Sequence, residues 1–153
     1  MSRAKIMILA GGTGGHVIPG LTIAKALEDA KCDITWIGTK GGIEERLVPE
    51  ANIKIEYINV MGLRGKSFKN VLIAVKHLIQ SIFQSINLLM KYRPDVVIGM
   101  GGYVSGPGGI AAFLLRYPLV IHEQNSVPGT TNKFLARIAS SVLEAFPGSF
   151  RSK

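Results

Sequence analysis

One cysteine, Cys32, is the whole thiol content of this 153-residue chain. An internal disulfide is excluded, and a small buried or half-buried residue in a reducing compartment is the expected role. Acidic residues are also scarce: ten Asp and Glu against eighteen Lys and Arg leave a net charge of +8. That balance favours acidic partners such as phosphates, anionic lipid or nucleic acid. Aromatic residues make up only 7% of the chain. No aromatic-interleaved basic stripe appears, which argues against nucleic acid. No apolar run is long enough to span a bilayer, and the N-terminal one is too short for a signal peptide. No Ser-His-Asp arrangement is legible, and His16, His77 and His122 lack metal-ligand spacing. What remains is a globular composition, 47% hydrophobic and 18% charged, long enough for one domain and expected in the cytoplasm.

Glycine, by contrast, is abundant and clustered. Gly11-Gly12-Thr13-Gly14-Gly15-His16 follows the apolar run Ile6–Leu9 and precedes a helical pattern from Gly20 to Ala30. Strand, glycine loop and helix make the geometry of a phosphate-binding turn, because bare backbone N–H groups and a helix N-terminus both favour an anion. The loop does not match the dinucleotide fingerprint, since Val17 stands where its last glycine belongs. It is not a Walker A loop either. Gly62-Leu63-Arg64-Gly65-Lys66-Ser67 resembles the tail of one, but Val60 occupies the first glycine position. A second glycine-rich turn spans Gly99–Gly109 after the apolar strand Val96–Ile98. There the N–H groups of Gly102–Gly106 and the Ser105 hydroxyl are expected to face an anion, with Pro107 in the first helical turn.

The remaining segments alternate in the same way. Strands are expected at Lys5–Ala10, Ile34–Ile37, Ile53–Ile58, Leu119–Ile121 and Ser141–Leu143. Helices are expected at Ile43–Val48, Phe68–Tyr92, Ile110–Leu115 and Thr130–Ala139. The alternation predicts an α/β domain, a doubly wound parallel sheet with helices on both faces. Ligands of such sheets sit beyond the strand carboxyl ends. The loops at Gly11, Gly99 and His122 should therefore share one rim. His16 could act there as a general base, its ordinary pKa lying near neutrality, or simply hydrogen-bond a ligand. Glu123 could be a base or hold a sugar hydroxyl, and Asn125 could bind a ligand amide or hydroxyl.

The helix over Phe68–Tyr92 is amphipathic. At 100° per residue, Phe68, Val71, Val75, Leu78, Ile82, Ile86 and Leu89 form a core stripe. Leu72, Ile79, Phe83 and Met90 widen it beside Lys69 and Lys76, while Ile73 lies on the polar side. An apolar flank edged by lysines suits an anionic membrane surface, and a broad core stripe with solvated lysines is the alternative.

Several segments, taken in order, resemble the MurG-like glycosyltransferases, glycosyltransferase family 28. They are Gly11–Gly20, Gly62–Lys66, Pro94–Gly108, His122-Glu123-Gln124-Asn125 and Ala145-Phe146-Pro147-Gly148. The resemblance covers essentially the whole chain and implies the N-terminal half of a GT-B enzyme. It implies an inverting hexosyltransferase that moves N-acetylglucosamine from UDP-GlcNAc to lipid I (undecaprenyl-diphosphate-MurNAc-pentapeptide). The product, lipid II, serves peptidoglycan synthesis, and neither a metal nor a cofactor is required. The setting implied is peripheral, on the cytoplasmic face of the bacterial inner membrane.

By the same resemblance, His16 and then Glu123 are the catalytic candidates. Thr13, Gly14, Gly15 and Asn125 would meet the donor. Gly12, Gly102, Tyr103, Ser105 and Gly106 would meet the acceptor diphosphate, and Ile73, Lys69, Lys76 and Phe83 the membrane. Residues 1–148 are expected to be the acceptor-binding domain and 149–153 a tail. The donor-binding domain of the family is expected to lie outside these residues, so the isolated chain should be inactive in transfer and could need a separate donor-binding partner. A non-catalytic membrane-docking subunit of a split glycosyltransferase and a plain nucleotide-binding module are the alternative readings.

Overall fold

The computed structural model describes residues 3–60 and 68–151, with side chains over 3–60 and 74–150. In chain order the elements are β1 (Lys5–Leu9), α1 (Gly14–Asp29), β2 (Asp33–Gly38), α2 (Glu44–Glu50), β3 (Lys54–Tyr57) and α3 (Phe68–Tyr92). Then come β4 (Val96–Gly99), α4 (Gly102–Leu114), β5 (Leu119–Glu123), α5 (Thr130–Leu135), β6 (Ser141–Glu144) and a 3-10 turn at Ser149–Arg151. All six strands pair in parallel, in the order β3-β2-β1-β4-β5-β6. This is the expected doubly wound sheet. The order reverses between β1 and β4, whose register pairs Leu9 with Gly99. The loops leaving these two strands therefore open side by side, forming a crevice at the carboxyl ends.

Alternation along β1 feeds two cores. Ile6 and Ile8 pack with Trp36, Val17, Ala24 and Val48 on the face covered by α1 and α2. Met7 and Leu9 pack with Ile37, Val97, Leu89, Val104, Ala111 and Leu135 on the face covered by α3, α4 and α5. Both faces of the central strands are buried, which is why they read as continuous apolar runs.

The helix starts differ from expectation. α1 begins at Gly14 and not Gly20, and α4 begins at Gly102, so the second turn shrinks to Met100 and Gly101. Gly14, Gly15, Gly102, Gly106, Gly108 and Gly109, read as loop, are helical, and helical glycines stand where α1 or α4 closely approaches the sheet or α5. A Cβ at Gly20 would stand 2.7 Å from Trp36, and one at Gly108 2.7 Å from Leu9. One at Gly109 would stand 2.7 Å from Leu135. Tertiary packing here overrides the low helix propensity of glycine. Pro107 lies inside α4 beyond its first turn, and Pro49 lies inside α2 instead of ending it at Val48. β5 extends to Glu123, making His122 and Glu123 strand residues, and α5 stops at Leu135.

α3 has the expected bounds but not the expected buried line. Ala74, Ser81, Ser85 and Leu89 are buried, whereas Val75 is 45% exposed. α3 packs along α4, its main helical neighbour, with Leu78, Ile82 and Ile86 half-buried and Ile79, Phe83 and Met90 outward. The two serine hydroxyls donate within the helix, to the carbonyls of Leu78 and Ser81. Of the stripe and flank, Phe68, Val71, Leu72, Ile73 and Lys69 lie outside the described side chains. The Gly62–Lys66 motif lies outside the described residues.

Candidate functional site

The crevice is built on two helix N-termini. Thr13 precedes α1 and Gly101 precedes α4, and neither helix has a side-chain cap. The first N–H groups of a helix have no intrahelical partner. Uncapped, those of Gly14 and Gly15 and those of Gly102 and Tyr103 point donors at one rim, and both helix dipoles favour an anion there. Gly102 lies against the first loop, since a Cβ on it would stand 2.9 Å from the Gly11 carbonyl oxygen. With φ of +98° and +76°, Gly101 and Gly102 use backbone conformations open to glycine.

Gly12 and Ser105 do not fit their expected roles. The Gly12 N–H donates to Glu44 Oε2 at 3.1 Å, so it is not offered to a diphosphate. The other Glu44 oxygen accepts from the Thr39 N–H at 2.9 Å and the Thr39 hydroxyl at 2.8 Å. Fully buried, Glu44 ties the first glycine loop to the segment after β2. Ser105 is also fully buried. Its Oγ accepts from the Gly101 N–H at 3.0 Å and lies 2.8 Å from the carbonyl oxygens of Leu9 and Gly101, which share its single O–H proton. It pins the two switch-point loops together from beneath. Gly106 is half-buried and faces Thr131 of α5. Tyr103 does reach the rim: its ring covers Gly12, and its hydroxyl lies 3.5 Å from Thr39 Oγ1.

His16 sits in the first turn of α1, half-buried, between the two loops. Its Nδ1 lies 3.0 Å from the Met100 carbonyl oxygen, and its ring edge lies beside Gly101 and Gly102. A side chain at Gly101 would stand 3.0 Å from the imidazole, so this glycine makes room for it. Gln124, which sequence reading gave no role, reaches the same point. Its Nε2 lies 2.6 Å from His16 Nδ1 and 3.1 Å from the Met100 oxygen. With Nδ1 turned to the protein, Nε2 is the ring nitrogen left for a ligand.

Glu123 does not offer a free carboxylate. It is 1% exposed and accepts four hydrogen bonds, from the N–H and side chain of Asn125, the N–H of Gly129 and the side chain of Asn132. Burial alone would raise its pKa. The donors from Asn125, Asn132 and Gly129 outweigh burial and hold it below the usual glutamate value. Glu123 thus organises the 123–129 loop, and its oxygens have no room for a substrate proton. Asn125 is exposed at the rim, and its carbonyl accepts from Ser149 Oγ at 3.2 Å. Ser149 is itself buried, so the expected tail begins as part of the fold. Among the described residues, no group of three His, Cys, Asp or Glu is placed to hold a metal ion.

The outer flank of α3 is apolar and open. Ile79, Phe83 and Met90 are 50%, 62% and 58% exposed, and Lys76 is exposed beside them. Among the described residues, no helix is long and apolar enough to cross a membrane.

Comparison with known proteins fits this arrangement. The glycosyltransferase family 28 N-terminal domain matches residues 6–144. A Proteus mirabilis protein is 51% identical over 97% of the chain and is named UDP-N-acetylglucosamine--N-acetylmuramyl-(pentapeptide) pyrophosphoryl-undecaprenol N-acetylglucosamine transferase. A Vibrio cholerae protein of the same name is 53% identical over 95% of the chain. The chain spans 41% of the length of each. The crystal structure of Acinetobacter baumannii MurG superposes with a TM-score of 0.86 at 42% identity, covering 98% of this chain and 44% of that one. A UDP-GlcNAc 2-epimerase from Methanocaldococcus jannaschii shares the fold, with a TM-score of 0.67 at 18% identity over 95% of this chain and 40% of that one.

Proposed function

The chain belongs to the glycosyltransferase family 28 N-terminal domain family, and from that premise we propose that it is the acceptor-binding half of a lipid I N-acetylglucosaminyltransferase. Residues 1–148 hold the acceptor, and a donor-binding domain completes the cleft. The acceptor hydroxyl attacks the anomeric carbon of UDP-GlcNAc, a new C–O bond forms, and the bond to UDP breaks with inversion. The hydroxyl proton passes to Nε2 of His16. The observation that carries this reading is the place of His16, between two uncapped helix N-termini at the switch point. Fixed N–H groups, and not a metal ion, meet the diphosphate charge and orient it. Thr13, Gly14, Gly15 and Asn125 face the donor from this side.

The open flank of α3 docks on the anionic cytoplasmic surface of the bacterial inner membrane. Phe83, Ile79 and Met90 enter the interface while Lys76 meets the headgroups. The protein is then peripheral, as its lipid-linked acceptor requires.

The test joins this chain to the donor-binding half of a relative and follows transfer of labelled GlcNAc to a short-chain lipid I analogue. His16→Ala should lower kcat by about 10²–10⁴-fold and leave acceptor KM within a few-fold. Unchanged kcat would reject His16 as the base. The chain alone should bind the acceptor analogue weakly and transfer nothing. Tight UDP binding by the chain alone would favour a plain nucleotide-binding module instead.

A further inference from the structure

Three atoms meet behind the His16 ring: its own Nδ1, the Met100 carbonyl oxygen and Nε2 of Gln124. Their separations are 3.0, 2.6 and 3.1 Å. A carbonyl can only accept. Whether Nδ1 carries the neutral ring's proton or accepts one from the Gln124 amino group therefore decides what His16 can do at its outer nitrogen. If the Gln124 amino group donates to Nδ1, the imidazole must carry its proton on Nε2, and a ring protonated there cannot take one from a substrate. That orientation also leaves Gln124 Oε1 buried without a partner.

The two ends of a glutamine amide have nearly the same shape, and a half-turn about the last side-chain bond exchanges them. After the exchange Oε1 faces Nδ1 and accepts its proton, which Met100 shares in place of the amide donor it had at 3.1 Å, and the amino group takes the buried place of the oxygen. Nδ1 stays protonated before and after proton uptake at Nε2. The buried oxygen gains its donor, and the Nε2 lone pair points to the crevice.

We infer that Gln124 is a positioning residue: its amide oxygen accepts the Nδ1–H of His16 and so keeps Nε2 unprotonated and ready. The role parallels that of a carboxylate behind a catalytic histidine, but with a neutral acceptor. The inference rests on the reading of His16 as base, yet it is tested without turnover.

The chain has three histidines, so ¹⁵N-labelled imidazoles give a spectrum that can be assigned residue by residue. Long-range ¹H–¹⁵N correlation at a pH where the rings are neutral should show His16 mainly as the Nδ1–H form. Gln124→Glu, an acceptor with no N–H to offer, should retain that form. Gln124→Met, similar in length but unable to accept the proton, should shift the majority to the Nε2–H form that histidine prefers in water. Unmoved His77 and His122 signals would show that the variants are folded. An Nε2–H majority in the unaltered chain overturns the inference, and so does an unchanged His16 spectrum in Gln124→Met. If the spectra are as expected but His16→Ala leaves transfer intact, the base reading fails and the tautomer assignment stands. If His16→Ala abolishes transfer while the spectra disagree, only the role of Gln124 is lost.

Discussion

Replacing Ser105 with alanine separates two accounts of the second glycine turn. Exposed and facing a ligand, its hydroxyl would contribute to binding and little to stability. In the structure it is fully buried and reaches only backbone atoms. Alanine removes the acceptor of the Gly101 N–H, a donor buried at the switch point. Leaving such a donor unpaired costs about 1–3 kcal/mol. The Leu9 carbonyl loses one donor but keeps the Met100 N–H at 3.0 Å, so it adds little. A total near 2 kcal/mol follows, and for a domain of this length that lowers the melting temperature by about 4–8 °C. Urea unfolding followed by circular dichroism should show a lower midpoint with an unchanged slope. A change below about 0.5 kcal/mol, together with a tenfold loss of acceptor-analogue affinity, would refute the buried-strut account and restore the ligand-facing one.

Three further outcomes follow from the same geometry. Glu123 has a folded pKa below its unfolded value of about 4.3, so its contribution to stability is present above that value and disappears as pH falls through the folded pKa. Glu123→Gln should therefore lower the melting temperature at neutral pH and flatten its decline between about pH 5 and 3, where a parallel decline would contradict this. Gly102→Ala places a methyl group 2.9 Å from the Gly11 carbonyl at a positive φ, and it should cost about 1–3 kcal/mol in urea unfolding. Phe83→Glu, on the open flank of α3, should leave unfolding within about 0.5 kcal/mol and sharply reduce co-sedimentation with phosphatidylglycerol vesicles. Equal sedimentation of both proteins would remove that flank from the interface.

Strand positions and the shared rim were legible because buried parallel strands leave uninterrupted apolar runs, and because the loops after Leu9 and Gly99 follow directly. The helix starts were not. Glycine has the same letter whether it frees an N–H for an anion or makes space for Trp36, Leu9 or Leu135, and only the packed sheet distinguishes the two uses. Glu44 carries no signal of its own, because an acidic residue at a short helix usually faces water. The adjacent Gly41-Gly42 was the available hint, since a Cβ at Gly42 would stand 2.2 Å from a Glu44 oxygen. Glu123 and Ser105 were legible as polar residues in the right place, but the direction of a side chain is not written in its spacing. Periodicity alone places Val75 in the core, yet it is exposed. The buried line runs instead through Ala74, Ser81, Ser85 and Leu89.

The small buried residues of α3 have a mechanical corollary. A close-packed interior leaves no free space around Ala74, Ser81 and Ser85 for a larger side chain. A leucine at position 81 or 85 would act as a wedge, prying α3 away from what it packs on. The outer flank and the first turn of α4, where Tyr103 stands over Gly12, would then lose their common angle.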